Sequence, residues 1–148
     1  MEYVNVSWEE IEDLVDKIAE DVKASPVEPK YLYAVDQQSL VVALMLSRKL
    51  GNIPISNNGR KNYMLFVSNF INTGSSLSRV TEKSNCFVTA CLFLNKDSKF
   101  SPDFIGDIKE KGIWYVFPWD KKEKKAKRTE HKSFENIIQK IKGDKNED

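Results

Sequence analysis

Histidine is almost absent from this sequence: there is one, His131, among 148 residues, beside only two cysteines. Without a histidine–cysteine cluster, no zinc site is expected. The cysteines, Cys86 and Cys91, fall in a β-rich run. On a strand that odd spacing sends them to opposite faces, roughly 17 Å apart and beyond disulfide reach. Both read as buried free thiols of a reducing compartment, so the chain is expected in the cytoplasm. Long apolar runs are also missing. The longest, residues 40–46, falls far short of the roughly 20 residues that span a bilayer. The N-terminus has no basic segment followed by an apolar one, so neither a secretory signal nor a membrane partner is expected. Excess charge of either sign is absent, with a formal net charge of +1, and nucleic acid is not an expected partner.

What is present is globular. Hydrophobic residues make up 41% and charged residues 30%, enough for one domain around one core. Ser7, Trp8, Glu9 and Glu10 have the form of a capping box. Behind it Trp8, Ile11, Leu14, Val15, Ile18 and Val22 recur at helical spacing, and Pro26 and Pro29 end the helix. Residues 31–35 read as a buried strand, 36–39 as a polar turn, and 40–50 as a second helix before Gly51. Ile53-Pro-Ile55 has the character of a short edge strand, and Asn57-Asn-Gly59 of a turn. Residues 63–67 read as a second buried strand, 68–75 as a polar loop, 76–83 as a short helix and 86–94 as a third strand. An irregular connection, 100–111, leads to a fourth strand at 114–117. A lysine-dense run, 121–128, reads as a solvated surface linker or, alternatively, a weak phosphate or RNA contact, and precedes an apolar helical face of Phe134, Ile137, Ile138 and Ile141. Strands alternating with helices predict an α/β fold with a mostly parallel central sheet flanked by helices. In such sheets ligands bind beyond the carboxyl ends of the strands.

Two of those ends carry chemistry. Asp36, Gln37, Gln38 and Ser39 form a polar turn between strand and helix. Asn72, Thr73, Gly74, Ser75 and Ser76 form another, small and rich in hydroxyls. Gly74 lets the backbone turn so that successive amides face one point, and the following helix adds its positive end. That is the physics of a phosphate cradle, although such a loop also serves as a plain turn.

The run Leu65-Phe-Val-Ser-Asn-Phe-Ile-Asn-Thr-Gly-Ser-Ser76 resembles the signature loop of the type I phosphoribosyltransferases. The similarity extends in order over residues 3–120 and is greatest to the bacterial xanthine–guanine members. Ser7-Trp8, the turn Asp36–Ser39, the Lys49-Leu-Gly51 helix end and the close Trp114-Tyr-Val-Phe-Pro-Trp-Asp120 each have a counterpart. The resemblance makes 3–120 a phosphoribosyltransferase-like domain and leaves 121–148 as charged linker, C-terminal helix and tail. It implies phosphate binding by residues 72–76, ribose binding at Ser68 and Asn69, and a pyrophosphate turn at residues 36–39. Lys96, Trp114 and Tyr115 would then contact the purine base. A purine nucleotide or nucleobase, and phosphoribosyl pyrophosphate, are the implied partners. Magnesium is implied only for an active transferase. Members of the family commonly form homo-oligomers, but no surface in this sequence singles out such a contact.

The departures are as specific as the matches. Ser68 and Asn69 stand where the family has two ribose-binding acids, and Asn72 where it has a proton acceptor. An amide cannot take a proton at neutral pH. Gln37-Gln38-Ser39 replaces Arg-Gly-Gly, so a cationic side chain facing pyrophosphate is gone. Residues 56–62 are too few for a closing lid. Three readings stay open: a nucleotide binder with transfer weak or lost, an active divergent transferase, and a non-catalytic interaction module. For Trp114 a core position, and for Lys96 a surface one, remain the alternatives to base contact.

Overall fold

The structure, a computed structural model, describes residues 2–84 and 86–120. The basic linker and the apolar stripe 134–141 lie outside the described residues. Contacts divide the chain into two compact units, one of residues 8–112 and one of residues 1–7 with 113–148.

The larger unit is built on a four-stranded sheet of order β2-β3-β4-β5: β2 (Tyr31–Ala34), β3 (Met64–Ile71), β4 (Phe87–Asn95) and β5 (Phe104–Lys109). Every ladder is parallel. Helices α1 (Trp8–Ala24), α2 (Leu40–Lys49) and α3 (Ser75–Thr81) pack on it. The expected α/β fold with a mostly parallel sheet is therefore present. Side-chain alternation along β3 sends Met64, Phe66 and Ser68 to one face and Leu65, Val67 and Asn69 to the other. Met64, Phe66 and Cys91 pack with Leu77 of α3. On the second face Asn69 reaches Ser39, immediately before α2, which packs on β2 and β3 while α1 packs on β4 and β5. The helix α1 buries Ile11, Val15, Ile18, Ala19 and Val22. Trp8, expected on that face, is half exposed.

Several sequence expectations change. β3 does not end at Val67. Its ladder with β4 continues to Ile71, so Ser68 and Asn69 are buried strand residues rather than members of a loop. Of residues 31–35 only Leu32 is fully buried and the others are partly buried, because β2 closes one side of the sheet. Ile53–Ile55 adds only a single bridge there, Leu32 with Ile55. The helix expected at 76–83 is shorter, Ser75–Thr81.

The connection 100–111 contains β5. Its strand pattern is masked by Gly106, Asp107 and Lys109, yet Gly106 is required. A Cβ there would lie 2.4 Å from the Leu92 carbonyl oxygen of the neighbouring strand. Lys17 of α1 donates to the Gly106 carbonyl at 2.8 Å, and Lys109 pairs with Glu10 at 3.3 Å. Partial burial alone would lower the Lys109 pKa, but hydrogen bonds and charge from Asp107 and Glu10 raise it. That link thus acts fully below the unfolded lysine pKa and is lost as pH rises through the folded value. No helix joins β4 to β5. The ladder pairs Ala90 with Phe104, so residues 96–103 must return about five residues, roughly 17 Å. Eight extended residues reach roughly 26 Å or more, which suffices. Asp103 fixes the return by accepting from the Thr89 amide at 2.8 Å.

In the smaller unit β1 (Glu2–Asn5) pairs in parallel with β6 (Ile113–Val116). Beyond β6, Phe117 and Trp119 stack at 4.8 Å. β1 has four exposed residues and left no hydrophobic pattern to read.

Cys86 is exposed, contrary to expectation, because it precedes β4. Cys91 is buried, and desolvation pushes its thiol up to about 12. Iodoacetamide at about pH 8 is therefore expected to modify only Cys86 in the folded chain and both cysteines after denaturation, since the thiolate is the nucleophile. Adduct counting by mass spectrometry checks this. Phe66→Ala, which empties a fully buried position, is expected to cost about 3–5 kcal/mol in denaturant unfolding.

Candidate functional site

Parallel strands put their carboxyl ends on one edge of the sheet. There Asp36–Ser39 follows β2, the 72–76 loop follows β3, and Lys96 follows β4. A cavity of about 120 Å³ opens between the first two, lined by Asp36, Ser68, Asn72, Thr73, Gly74 and Ser76 above Val35, Phe70, Ile71 and Leu77. Six of the expected site residues are thus brought together. Gln37, Gln38, Ser39, Asn69, Ser75 and Lys96 do not line this cavity. Trp114 and Tyr115, the expected base contacts, lie on β6, where they pair with Tyr3 and Val4.

The turn after β2 is held from within. Asp36 caps the short 3-10 turn Gln37–Ser39. Its Oδ1 accepts from the Ser39 amide at 2.9 Å and from the Ser39 hydroxyl at 2.7 Å. The Ser39 hydroxyl in turn accepts from the Asn69 amide at 3.0 Å. Ser39 is fully buried. Ser39 and Asn69, expected at pyrophosphate and ribose respectively, bond to each other and so join the turn after β2 to β3.

The loop after β3 is also internally bonded. Asn72 accepts from the Asn95 side-chain amide at 2.6 Å. Thr73 accepts from the Ser75 amide at 3.3 Å, and the two hydroxyls lie 3.1 Å apart. Ser68 donates to the Phe70 carbonyl at 3.1 Å. Gly74 adopts φ 91°, as the turn required. It has a second duty that the sequence did not reveal: a Cβ there would sit 2.1 Å from Phe100 Cβ. A substitution at Gly74 therefore disturbs packing as well as the turn. With only seven residues, α3 adds a small dipole to the loop.

Lys96, expected at the base, is half exposed. Its ammonium pairs with Glu110 at 2.8 Å, and that hydrogen bond raises its pKa. Asn95, Phe100 and Glu110 are the residues that sequence reasoning missed. No local pattern marks them, because each meets its partner only through the β3–β4–β5 register. Among the described residues no group of three His, Cys, Asp or Glu could hold a metal, and no helix is long and apolar enough to cross a membrane.

The architecture matches solved structures. A purine phosphoribosyltransferase from Pyrococcus horikoshii superposes with a TM-score of 0.69 at 24% identity, covering 80% of this chain and 94% of that one. The fold is that of the type I phosphoribosyltransferases. A xanthine–guanine–hypoxanthine phosphoribosyltransferase from Helicobacter pylori gives 0.63 at 20% identity, covering 85% of this chain and 97% of that one. A Neisseria gonorrhoeae protein with bound ppGpp shares the fold at 0.65 and 18% identity, over 80% of this chain and 89% of that one. No protein-family model matches the sequence, and no curated protein matches it significantly. On this phosphoribosyltransferase fold the cavity occupies the edge where ligands bind in open α/β sheets.

Gly74→Ala is expected to destabilise the chain through left-handed strain of about 1–2 kcal/mol and overpacking of about 1–3 kcal/mol. Gly59→Ala is the comparison. A Cβ at Gly59 meets the Tyr33 ring at 3.5 Å, ordinary contact, so its thermal midpoint should barely move. Paired thermal melts check both.

Proposed function

We propose that this chain binds a purine nucleotide on a phosphoribosyltransferase scaffold and transfers phosphoribosyl groups weakly or not at all. The observation that carries the proposal is the cavity between the 36–39 turn and the 72–76 loop, lined by hydroxyls and by Gly74 in its left-handed conformation. Its size fits a partial role. At about 120 Å³ it falls below the roughly 300–1,000 Å³ of pockets that enclose a whole ligand. It would hold one group, the 5′-phosphate, and leave ribose and base outside it. The hydroxyls of Thr73 and Ser76 and the backbone around Gly74 supply the donors. The gonococcal protein described with bound ppGpp gives a precedent for a guanine nucleotide on this fold.

The chemistry of transfer is poorly served. Ser68, Asn69 and Asn72 carry no carboxylate, and each is already engaged by Phe70, Ser39 and Asn95 respectively. Asn72 accepts no proton, so it offers no general base. The residues do not fit a magnesium site either. Asp36 is the one carboxylate lining the cavity and is bonded to Ser39, whereas magnesium seeks several hard oxygen ligands in octahedral array. Restoring the acid at position 69 would not simply restore function. Asn69→Asp puts a buried carboxylate against Ser39, already the partner of Asp36, and should destabilise the fold.

Calorimetry with guanosine monophosphate, beside phosphoribosyl pyrophosphate with magnesium, tests the reading. Binding of the monophosphate, with weak binding of the pyrophosphate compound, is expected. Tight magnesium-dependent binding of phosphoribosyl pyrophosphate, with turnover on guanine, would establish a working transferase instead. Absence of either ligand would leave an interaction module.

A further inference from the structure

We propose that Asp36 sets how many phosphoryl groups the cavity accepts, admitting a ribose 5-monophosphate unit and turning away one that carries a pyrophosphate on C1. The proposal rests on the nucleotide reading above and adds a residue that decides selectivity. Asp36 is the only charged residue among those lining the cavity. No lysine or arginine lines it to offset that charge, and the neighbouring Gln37 and Gln38 are neutral.

The carboxylate is fixed in place. Two donors from Ser39 hold Oδ1, at 2.9 and 2.7 Å, and Ser39 is fully buried and anchored to the Asn69 amide. Swinging Asp36 aside would break both of these bonds and leave the Ser39 hydroxyl to Asn69 Oδ1 at 3.2 Å and the Ser39 amide to the Asp36 carbonyl at 3.2 Å, so the capped position at the carboxyl end of β2 is favoured. An ionised carboxylate is acceptor-only, with about four lone-pair sites, of which Ser39 takes two. Ribose hydroxyls are donors and can use the remainder in a charge-assisted bond. A pyrophosphate brings more acceptors and more negative charge to the same wall. Asp36 is exposed to solvent, so it faces the part of the ligand outside the cavity, and the repulsion is a short-range one that salt screens. One residue thus favours a nucleoside monophosphate over phosphoribosyl pyrophosphate without any steric barrier.

The test separates charge from capping. Asp36→Asn keeps an oxygen for the Ser39 amide, since asparagine caps as well as aspartate, and removes only the charge. Asp36→Glu keeps the charge. Calorimetry at fixed magnesium compares guanosine monophosphate with phosphoribosyl pyrophosphate for all three proteins, with thermal melts confirming folding. The expected result is that Asp36→Asn shifts the affinity ratio toward phosphoribosyl pyrophosphate on the order of tenfold, while Asp36→Glu leaves it near wild type. That gain should shrink between about 50 mM and about 500 mM salt, as a screened repulsion must. Monophosphate binding with a ratio unmoved by Asp36→Asn would overturn the role of Asp36 and leave the nucleotide reading standing. Failure of wild type and Asp36→Asn to bind either ligand would remove the nucleotide reading and the selectivity with it.

Discussion

β3 is hydrogen-bonded on both sides in parallel register, to β2 from Met64 to Val67 and to β4 from Met64 to Ile71. Seven of its eight residues are buried. A parallel strand so placed needs helices over both faces and returning connections outside the sheet. The positions of α2, α3 and the 96–103 return follow from that. So does the location of the cavity, because the connections leave β2 and β3 at the same end. The Phe66 ring lies edge-on to Tyr33 and to Phe87, each at 5.5 Å, which packs the same three strands by their side chains.

At the carboxyl end the backbone ladder gives way to side-chain bonds that serve the same joining function. Ser39 ties β2's turn to β3, and Asn95 ties the end of β4 to the loop after β3. Donors and acceptors used in this way are not available to a substrate without rearrangement. Preorganised catalytic groups would instead point unsatisfied at the place where charge develops. The polar residues here stabilise the edge of the sheet.

Much of the fold was legible because parallel strands buried on both faces read as continuous apolar runs. Met64–Val67 and the core of β4 stood out for that reason. β5 did not, since Gly106, Asp107 and Lys109 dilute its pattern and it closes the sheet on one side. Ser68 and Asn69 read as loop because polar residues end an apolar run. Their burial depends on partners, Ser39 and the Phe70 carbonyl, that no local signal identifies. The loop 72–76 was visible as small hydroxyl residues around a glycine, but Phe100 beneath Gly74 was not. Cys86 was misread as buried because strand character was extended one residue too far.

The sequence by itself determined the alternation of strands and helices, the polar character of both turns and the neutral side chains at Ser68, Asn69 and Asn72, since each is a matter of residue identity and local spacing. Only the tertiary structure decided that Asp36 and Ser68 share one cavity, that Asn69 and Ser39 bond to each other, and that Lys96 pairs with Glu110. Those pairings join residues from different strands and turns, fixed by the register of four parallel strands. Register is set by side chains packing on both faces of the sheet at once, which no window of sequence contains.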